Sequence, residues 1–429
     1  MTEDLLPRFF RVRQRFPRPR LDDVPAAMRA ELERVFPAGS LRPGMEIGVT
    51  VGSRGIRGIA EMARAAVDFF KERQAQPFIL PAMGSHGGAE GEEQRDLIAE
   101  YGVTEETMGV PIRYAMETRS LGKTDGGVEV FLARAAWDAD GVLLLNRIKP
   151  HTDFKGRIES GLSKICAIGL GKLDGAREYH SHIFDIGLGE AILQASGRVL
   201  ESGKILGGVG ILENAYHDTA RLGGVTVDGF FDQEAALLDE ARGLMGRLPF
   251  GQFDVLVCDR MGKNISGAGL DTNIIGRGVY GYVAGQPWME GMPSITRIAV
   301  LDLSDESHGN GTGMGLVDFA TERFYDKVDL RVTRINSVTA CAPGGAKTPV
   351  VLPTDREAIA TAVRTTQRRP EGPRVAYIRD TMALEELYLS EALLAETRAA
   401  SDLEILSEPA PLPFDDAGTL ASPFALEVS

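Results

Sequence analysis

The feature that most constrains the fold is a repeated pattern: a short apolar run ends in a glycine-rich loop and is followed by a helical pattern. "MEIGVTV" precedes "GSRGIRG" and the helical "IAEMARAAVDFFKER", and "PFILPAM" precedes "GSHGGAEGEEQ". "GVLLLN" and "KILGGVGILEN" continue the series. Apolar runs that alternate with helices are typical of a largely parallel sheet covered by helices. The sequence therefore predicts an α/β fold.

The same pattern restarts in the second half of the chain. After the polar helical stretch "DQEAALLDEARGLMGRL", the runs "FDVLVCD" and "RIAVLDL" again lead into glycine-rich loops. A chain of 429 residues also exceeds what one hydrophobic core usually supports. We predict two domains, residues 1–250 and 251–429, each with a largely parallel sheet flanked by helices and with the active site in the cleft between them. A strand "RVAYIRD" and a helix over "MALEELYLSEALLAETRAA" are expected to complete the second domain.

Charge and hydropathy exclude several classes of partner. The chain carries 47 basic and 61 acidic residues, a net charge of −14, which argues against wrapping a nucleic acid or binding an anionic membrane. No apolar run of about 18 residues and no signal-peptide pattern occur. The three cysteines are widely spaced, so a disulfide framework or thiolate zinc site is not expected. We predict a cytoplasmic protein that uses neither a membrane nor a nucleic acid.

Two histidines follow predicted strands. His86 lies between glycines in "GSHGG", and His151 follows Pro150 at the start of a long loop. Loops at the carboxyl ends of parallel strands converge on one crevice, and an imidazole with a pKa near 6.5 suits proton transfer there. A purely structural role stays open for each of these histidines. His86 could bond a nearby loop carbonyl, and His151 could cap the next turn.

The other histidines raise the question of a metal. His180 and His182 lie two residues apart in "REYHSHIF". This spacing puts both on one face of a strand but nearly opposite each other on a helix. A two-histidine ligand pair therefore requires extended structure, and in a helix only one of them would bind a metal. The role of His182 is left open.

Two lysines compete for a reactive role. Ile158, Leu162 and Ile165 recur at nearly helical spacing and predict a helix within residues 156–172. Lys164 lies off this apolar stripe, so it is either solvated or directed into the crevice, where desolvation would favour a nucleophilic amine. Lys172 in "GLGKLDG" is the competitor.

Common nucleotide-binding motifs are absent, which leaves one polar loop as a candidate ligand contact. "GLGKLDG" has the wrong final spacing for G-x-G-x-x-G, and no P-loop or G-x-S-x-G elbow occurs. In the second domain, "GKNISGAGLDTNIIGR" places Lys263, Asn264 and Arg277 among glycines directly after a strand. This composition suits donors around a phosphate or carboxylate, and it equally suits a polar surface loop.

The order of these motifs resembles a known family. "GSRG", "GSHGG", "KPHTDFKG", "GLSK" and "EYH", followed by "GKNISG", are similar to the motifs of the lactate racemase family, over about residues 45 to 350. That family uses a nickel-pincer nucleotide, a nickel pyridinium-thioamide-thiocarboxylate mononucleotide. The resemblance is to a divergent branch of 2-hydroxy acid racemases and epimerases. It implies an isomerase whose partners are a small 2-hydroxy acid and cofactor-maturation proteins.

By this resemblance, Lys164 is the covalent tether of the cofactor and His180 is the nickel ligand. Their separation of 16 residues agrees with the family pattern and favours Lys164 over Lys172. His86 and His151 become the paired acid and base. They accept and return the hydroxyl proton while hydride passes reversibly to the cofactor, because the α-hydrogen of an unactivated carbinol is too weakly acidic for a histidine to remove.

The remaining contacts implied by the resemblance are looser. Arg54 matches an arginine that binds the cofactor phosphate or the substrate carboxylate, and the 263–277 loop contributes Lys263, Asn264 and Arg277 as cofactor-binding residues. The residues before Arg54 lack the family's acidic side chains. The tethering motif has Leu162 and Ser163 where the lactate enzymes have glycines.

The loop from His151 to Lys164 is also longer than in the lactate enzymes, which bears on the substrate. Asp153, Lys155 and Arg157 in this loop are expected to read a larger or more polar hydroxy acid than lactate. Two alternative functions stay open: a nicotinamide-type oxidoreductase in the same crevice, and a non-catalytic protein that binds the cofactor or a related nucleotide.

Overall fold

The computed structural model describes residues 6–53, 55–86, 88, 90–182, 185–278, 292–367 and 369–424. The chain forms two compact units. The larger unit is Arg18–Met245, and the smaller unit combines Met1–Pro17 with Gly246–Ser429. None of the helices in these described ranges is long and apolar enough to cross a membrane.

The larger unit is built on a five-stranded sheet of order β3-β2-β6-β7-β8. Its strands are β2 (Glu46–Val51), β3 (Gln76–Pro81), β6 (Gly141–Arg147), β7 (Ile205–Glu213) and β8 (Thr219–Val225), and β4 (Thr118–Lys123) pairs separately with β5 (Glu129–Ala133). The first four strands of the sheet run parallel, and β8 is antiparallel to β7. The helices are α1 (Val24–Val35), α2 (Ile59–Glu72), α3 (Gly91–Glu100), α4 (Glu105–Met108), α5 (Arg134–Asp138), α6 (Leu162–Lys164), α7 (Lys172–Ser181), α8 (Leu188–Glu201) and α9 (Phe230–Leu244).

The apolar run of β6 shows why this sheet is covered on both faces. Val142 and Leu144 pack in one hydrophobic cluster, whereas Leu143 and Leu145 pack in another, and all four are fully buried. Successive side chains of a strand point to opposite faces, so a continuous apolar run requires cover on both sides. The predicted parallel strands and flanking helices of this half are confirmed.

The smaller unit has an eight-stranded sheet of order β12-β11-β10-β9-β13-β14-β1-β15. Its strands are β1 (Phe9–Gln14), β9 (Gln252–Met261), β10 (Ser294–Leu303), β11 (Phe319–Thr321), β12 (Val350–Leu352), β13 (Val375–Asp380), β14 (Ala383–Ser390) and β15 (Leu403–Ile405). The strands from β12 to β13 are parallel, and β14, β1 and β15 are antiparallel. The helices are α10 (Thr272–Ile275), α11 (Glu322–Asp326), α12 (Leu330–Thr339), α13 (Asp355–Arg364) and α14 (Leu394–Ala399). The predicted α/β class is confirmed in both units.

One predicted helix of the smaller unit is wrong. The stretch from Met382 to Ala400 was expected to be helical, but its first half is the strand β14, and only Leu394–Ala399 is α-helical. Leu387 and Leu389 are fully buried and pair with β1 and β13 on either side. Burial between two strands outweighs the helix propensity of an Ala-, Glu- and Leu-rich segment, which amounts to less than about 1 kcal/mol per residue.

Candidate active site

A pocket of about 230 Å³ lies at the carboxyl ends of β2, β3 and β6 in the larger unit. From β2 the chain continues to β3 on one side, and β6 later joins on the other side. Such a reversal of strand order opens a crevice in α/β sheets, where ligands commonly bind. The pocket is lined by His86, His151 and Lys164 among other residues. Three of the site residues expected from the sequence are therefore brought together.

Lys164 and His151 are in direct contact. Nζ of Lys164 lies 2.5 Å from Nε2 of His151, and the backbone N–H of Asp153 donates to Nδ1 of the same ring at 3.0 Å. A neutral imidazole carries one hydrogen, so an accepting Nδ1 assigns that hydrogen to Nε2. In that tautomer of a neutral ring, Nε2 faces Nζ as a donor, an arrangement that suits an unprotonated Lys164 amine.

The loop that carries His151 is organised by a buried carboxylate. The side chain of Glu159 has no exposed surface. It accepts the backbone N–H of His151 at 2.6 Å and forms ion pairs with Lys155 at 3.3 Å and Arg242 of α9 at 2.7 Å. The His151 ring also stacks on Phe154 with a centroid distance of 4.4 Å. These contacts hold the imidazole at a defined place in the pocket wall.

The expected substrate-reading residues of this loop have different surroundings. Asp153 lines the pocket. Lys155 is engaged by Glu159, and Arg157 forms an ion pair with Asp232 of α9. The prediction that these three side chains read the substrate stays a prediction, and Asp153 is the one that faces the pocket.

The segment that carries Lys164 differs from the expected helix. Residues 152–160 contain no helix, α6 begins only at Leu162, and a π-helical turn covers Ile165–Gly169. The expectation of a helix from residue 156 is therefore wrong for its first part. Pairing of Lys149 with Ser160 through two backbone hydrogen bonds keeps that part of the chain in a closed loop. π-Helical turns often occur at functional sites.

The loop that carries His86 is held by hydrogen bonds from Gln94, which Lys172 contacts in turn. Nε2 of Gln94 donates to the carbonyl oxygens of Gly84 at 2.9 Å and His86 at 3.0 Å. Oε1 of Gln94 in turn accepts from Nζ of Lys172 at 3.1 Å, and Lys172 also donates to the carbonyl of Pro81 at 2.7 Å. The residue His86 itself is exposed at the pocket.

Lys172, the alternative to Lys164, is a buried residue whose contacts are structural. It is fully buried, and burial lowers its pKa to about 8. Both acceptors of its amine belong to the framework of the His86 loop, and Lys172 is not among the residues that line the pocket. Of the two lysines, only Lys164 reaches the pocket.

The predicted metal ligand is only partly described. His180 belongs to α7, but its side chain lies outside the described residues. Because α7 is helical through Ser181, the extended arrangement needed for a His180–His182 ligand pair is not present. Nε2 of His182 instead lies 3.1 Å from Glu178. No group of three or more His, Cys, Asp or Glu side chains suited to a metal occurs within the described ranges.

The remaining predicted contacts lie elsewhere. Arg54 is outside the described residues. In the smaller unit, Nζ of Lys263 donates to the carbonyl of Gly267 at 2.6 Å, and Oδ1 of Asn264 accepts from the hydroxyl of Ser304 at 2.6 Å. Arg277 donates to the carbonyl of Leu316 at 2.7 Å and forms an ion pair of 2.6 Å with Asp318. These three side chains tie loops to their own sheet, and their role toward a cofactor stays a prediction.

Sequence reasoning missed several residues that shape the site. Glu159, Gln94, Glu234 and Arg242 make buried or partly buried contacts with the segments that carry His86, His151 and Lys164. Glu234 and Arg242 are 71 and 83 residues from their partners Ser163 and Glu159. No local pattern marks such pairs, because an acidic or basic residue on a helix is usually a solvated one.

Comparison with known proteins finds similar folds and no similar sequences. Neither a protein-family model nor a curated protein matches the chain significantly. A solved structure from Thermotoga maritima matches with a TM-score of 0.50 and 11% identity, covering 84% of this chain and 96% of that protein. The lactate racemase apoprotein from Thermoanaerobacterium thermosaccharolyticum matches with a TM-score of 0.45 and 11% identity, covering 80% and 94%. The likeness is one of fold.

Proposed function

We propose that this protein is an isomerase that racemises or epimerises a 2-hydroxy acid with a nickel-pincer nucleotide tethered at Lys164. The observation that carries the proposal is the contact of the Lys164 amine with Nε2 of His151, in a pocket that His86 also lines. An unprotonated lysine is the form that can be acylated, and two imidazoles supply the proton transfers that inversion of a carbinol centre needs.

Of the three residues assigned to this cofactor, Lys164 has its amine in the pocket. His180 of helix α7 as the metal ligand and Arg54 as the contact of the phosphate are carried over from the resemblance, because Arg54 and the side chain of His180 lie outside the described residues. When bound, the cofactor would supply the reversible two-electron chemistry that an unactivated carbinol carbon requires.

Acylation of Lys164 would also change His151. An amide-type nitrogen donates a hydrogen bond but does not accept one. Nε2 of His151 could then no longer donate to that nitrogen. With the ring hydrogen on Nδ1, which would break the Asp153 contact, Nε2 could take a proton from a substrate hydroxyl, as the proposed role of general base requires.

His86 and His151 would then serve the two enantiomers. The two histidines belong to loops after different strands, β3 and β6. Each takes the hydroxyl proton of the substrate form that it faces and gives a proton back to the opposite form. Lys149, which also lines the pocket, supplies a cation for the substrate carboxylate. The proposal includes a cytoplasmic location and maturation proteins that deliver the cofactor.

The test is the intact mass and nickel content of the protein purified from cells that make the cofactor. A nucleotide-sized adduct that maps to Lys164, with nickel near one per chain, is expected. Lys164→Arg should lose the adduct and Lys149→Arg, the matched control in the same pocket, should retain it. An unmodified Lys164 in cells where a known family member is loaded would overturn the proposal.

A further inference from the structure

Glu234 is a buried carboxylate that the proposed chemistry does not use. It belongs to α9, is 1% exposed, and takes part in no ion pair among the described residues. Its carboxylate accepts the backbone N–H of Ser163 at 3.0 and 3.1 Å, and it also accepts the Ser163 hydroxyl. A carboxylate without a cation is costly to bury, and burial raises the pKa of Glu234. Its retention at this place requires an explanation.

The donors come from the start of the helical segment that carries Lys164. Gly161 precedes α6, and no side chain of the segment itself caps this helix start. Glu234 therefore acts as a cap supplied by another helix, because backbone N–H groups at a helix start lack partners and favour a negative charge. The capped residue, Ser163, is the direct neighbour of Lys164.

Two residues of "GLSK", Gly161 and Ser163, fit closely around the carboxylate of Glu234. A Cβ atom at Gly161 would overlap Oε1 of Glu234, so a glycine is required for the approach. The hydroxyl of Ser163 donates to the same carboxylate, which lies 71 residues away along the chain.

The same helix also reaches the other end of the loop. Arg242 of α9 pairs with Glu159, whose other oxygen accepts the backbone N–H of His151. One helix therefore contacts both the His151 end and the Lys164 end of the segment. Because Nζ of Lys164 lies 2.5 Å from Nε2 of His151, a small movement at either end of the segment would separate the two atoms.

We propose that Glu234, through Ser163, is the positioning residue that places the Lys164 amine against His151 and so sets the reactivity of this lysine. The inference rests on the proposed role of Lys164 and deepens it. Glu234 touches neither substrate nor cofactor and acts only through the helix start that it caps.

The test measures the acylation of Lys164 in the full-length protein with N-acetylcysteamine thioacetate as the probe. Nζ attacks the thioester carbon, the C–N bond forms, the C–S bond breaks, and the thiol leaves while the amine proton passes to buffer. Peptide mass mapping between pH 7 and 9 gives the rate at Lys164 relative to exposed Lys123, which corrects for general changes in the probe. Thermal unfolding is recorded for each variant.

Glu234→Gln is expected to lower the rate of Lys164 acylation about tenfold. The NH2 group of the glutamine would face the N–H and hydroxyl donors of Ser163, and two donors do not form a hydrogen bond. Ser163→Ala should lower it about threefold, and the double variant should fall no further than Glu234→Gln alone, because both belong to one contact. Glu240→Gln, at a partly exposed glutamate of the same helix that pairs with Arg221 of β8, is the matched control and should leave the rate unchanged. The Ser163→Ala variant provides the test if Glu234→Gln does not fold.

A Lys164 rate within twofold of the wild-type rate in both Glu234→Gln and Ser163→Ala would overturn the inference, even if unfolding shifts to lower temperature. The probe does not need the nickel cofactor, so the two proposals fail separately. Slow acetylation of Lys164 in Glu234→Gln supports the positioning role whether or not cells load a nucleotide on the wild-type chain.

Discussion

Nζ of Lys164 lies 2.5 Å from Nε2 of His151, and the amide of Asp153 occupies Nδ1 of the same ring. This relationship links the two ends of a loop that has no regular structure over residues 152–159. It places the amine of Lys164 against the pocket-side nitrogen of the imidazole. The reactivity of the candidate site therefore depends on a contact between one loop residue and one residue of a short helix.

Replacing His151 with phenylalanine should shift the acylation of Lys164 to higher pH. Phenylalanine retains the stacking on Phe154 but removes the donor that stabilises the unprotonated Nζ, a hydrogen bond worth about 1 kcal/mol. The measurement is the thioester labelling rate of Lys164 as a function of pH. His182→Phe, whose ring bonds Glu178 outside the pocket lining, is the control. An unchanged Lys164 rate in His151→Phe would mean that the imidazole does not influence the amine.

Substituting alanine for Gly161 should destabilise the protein through the carboxylate of Glu234. The added methyl group would overlap Oε1, and overpacking of this kind costs about 1–3 kcal/mol. Urea denaturation measures the cost in the wild-type and Glu234→Ala backgrounds, and it should largely vanish in the second. Gly197→Ala, at a position of α8 with no atom near the new Cβ, is the control and should stabilise slightly. Equal costs in both backgrounds would contradict the contact.

Lys172 should make stability rise with pH above neutrality. Burial lowers its pKa from 10.5 to about 8, so between these values the unfolded chain binds more protons than the folded chain, and the free energy of unfolding increases with pH. The full gain for this difference is about 3 kcal/mol. Denaturation curves at pH 7.5 and 10.5 should show the wild type gaining stability relative to Lys172→Met. Lys123→Met, at an exposed position, should follow the wild type; a parallel response of Lys172→Met would refute the assignment.

Replacing Arg242 with glutamine should loosen the His151 loop. Glu159 is fully buried, and Lys155 would be its remaining cation within the described part of the chain. Because Arg242 is 40% exposed, the loss is expected to be about 1–2 kcal/mol rather than the larger cost of breaking a fully buried pair. Hydrogen exchange of the peptide that contains His151 should become faster. Asp239→Asn removes the exposed second partner of Arg242 and should change neither stability nor exchange. Protection that survives in Arg242→Gln would show that Lys155 alone holds Glu159.

Some of the fold could be predicted because burial of a strand or a helix face produces a local pattern of apolar residues. The apolar run of β6 alternates between two buried faces, and the amphipathic pattern of α2 places one face on the core. The strand β14 could not be predicted, since its Ala-, Glu- and Leu-rich sequence favours a helix and only pairing with β1 and β13 makes it extended. The late start of α6 likewise follows from a cap that another helix provides.

The sequence by itself determined the α/β architecture and the convergence of the His86 and His151 loops, because strand ends and glycine-rich loops are local features read in chain order. Only the tertiary structure decided which lysine reaches the pocket and which is buried, and that Glu234 meets Ser163. The physical reason is that desolvation and hydrogen bonding depend on neighbours brought together by folding. Spacing along the chain does not encode them.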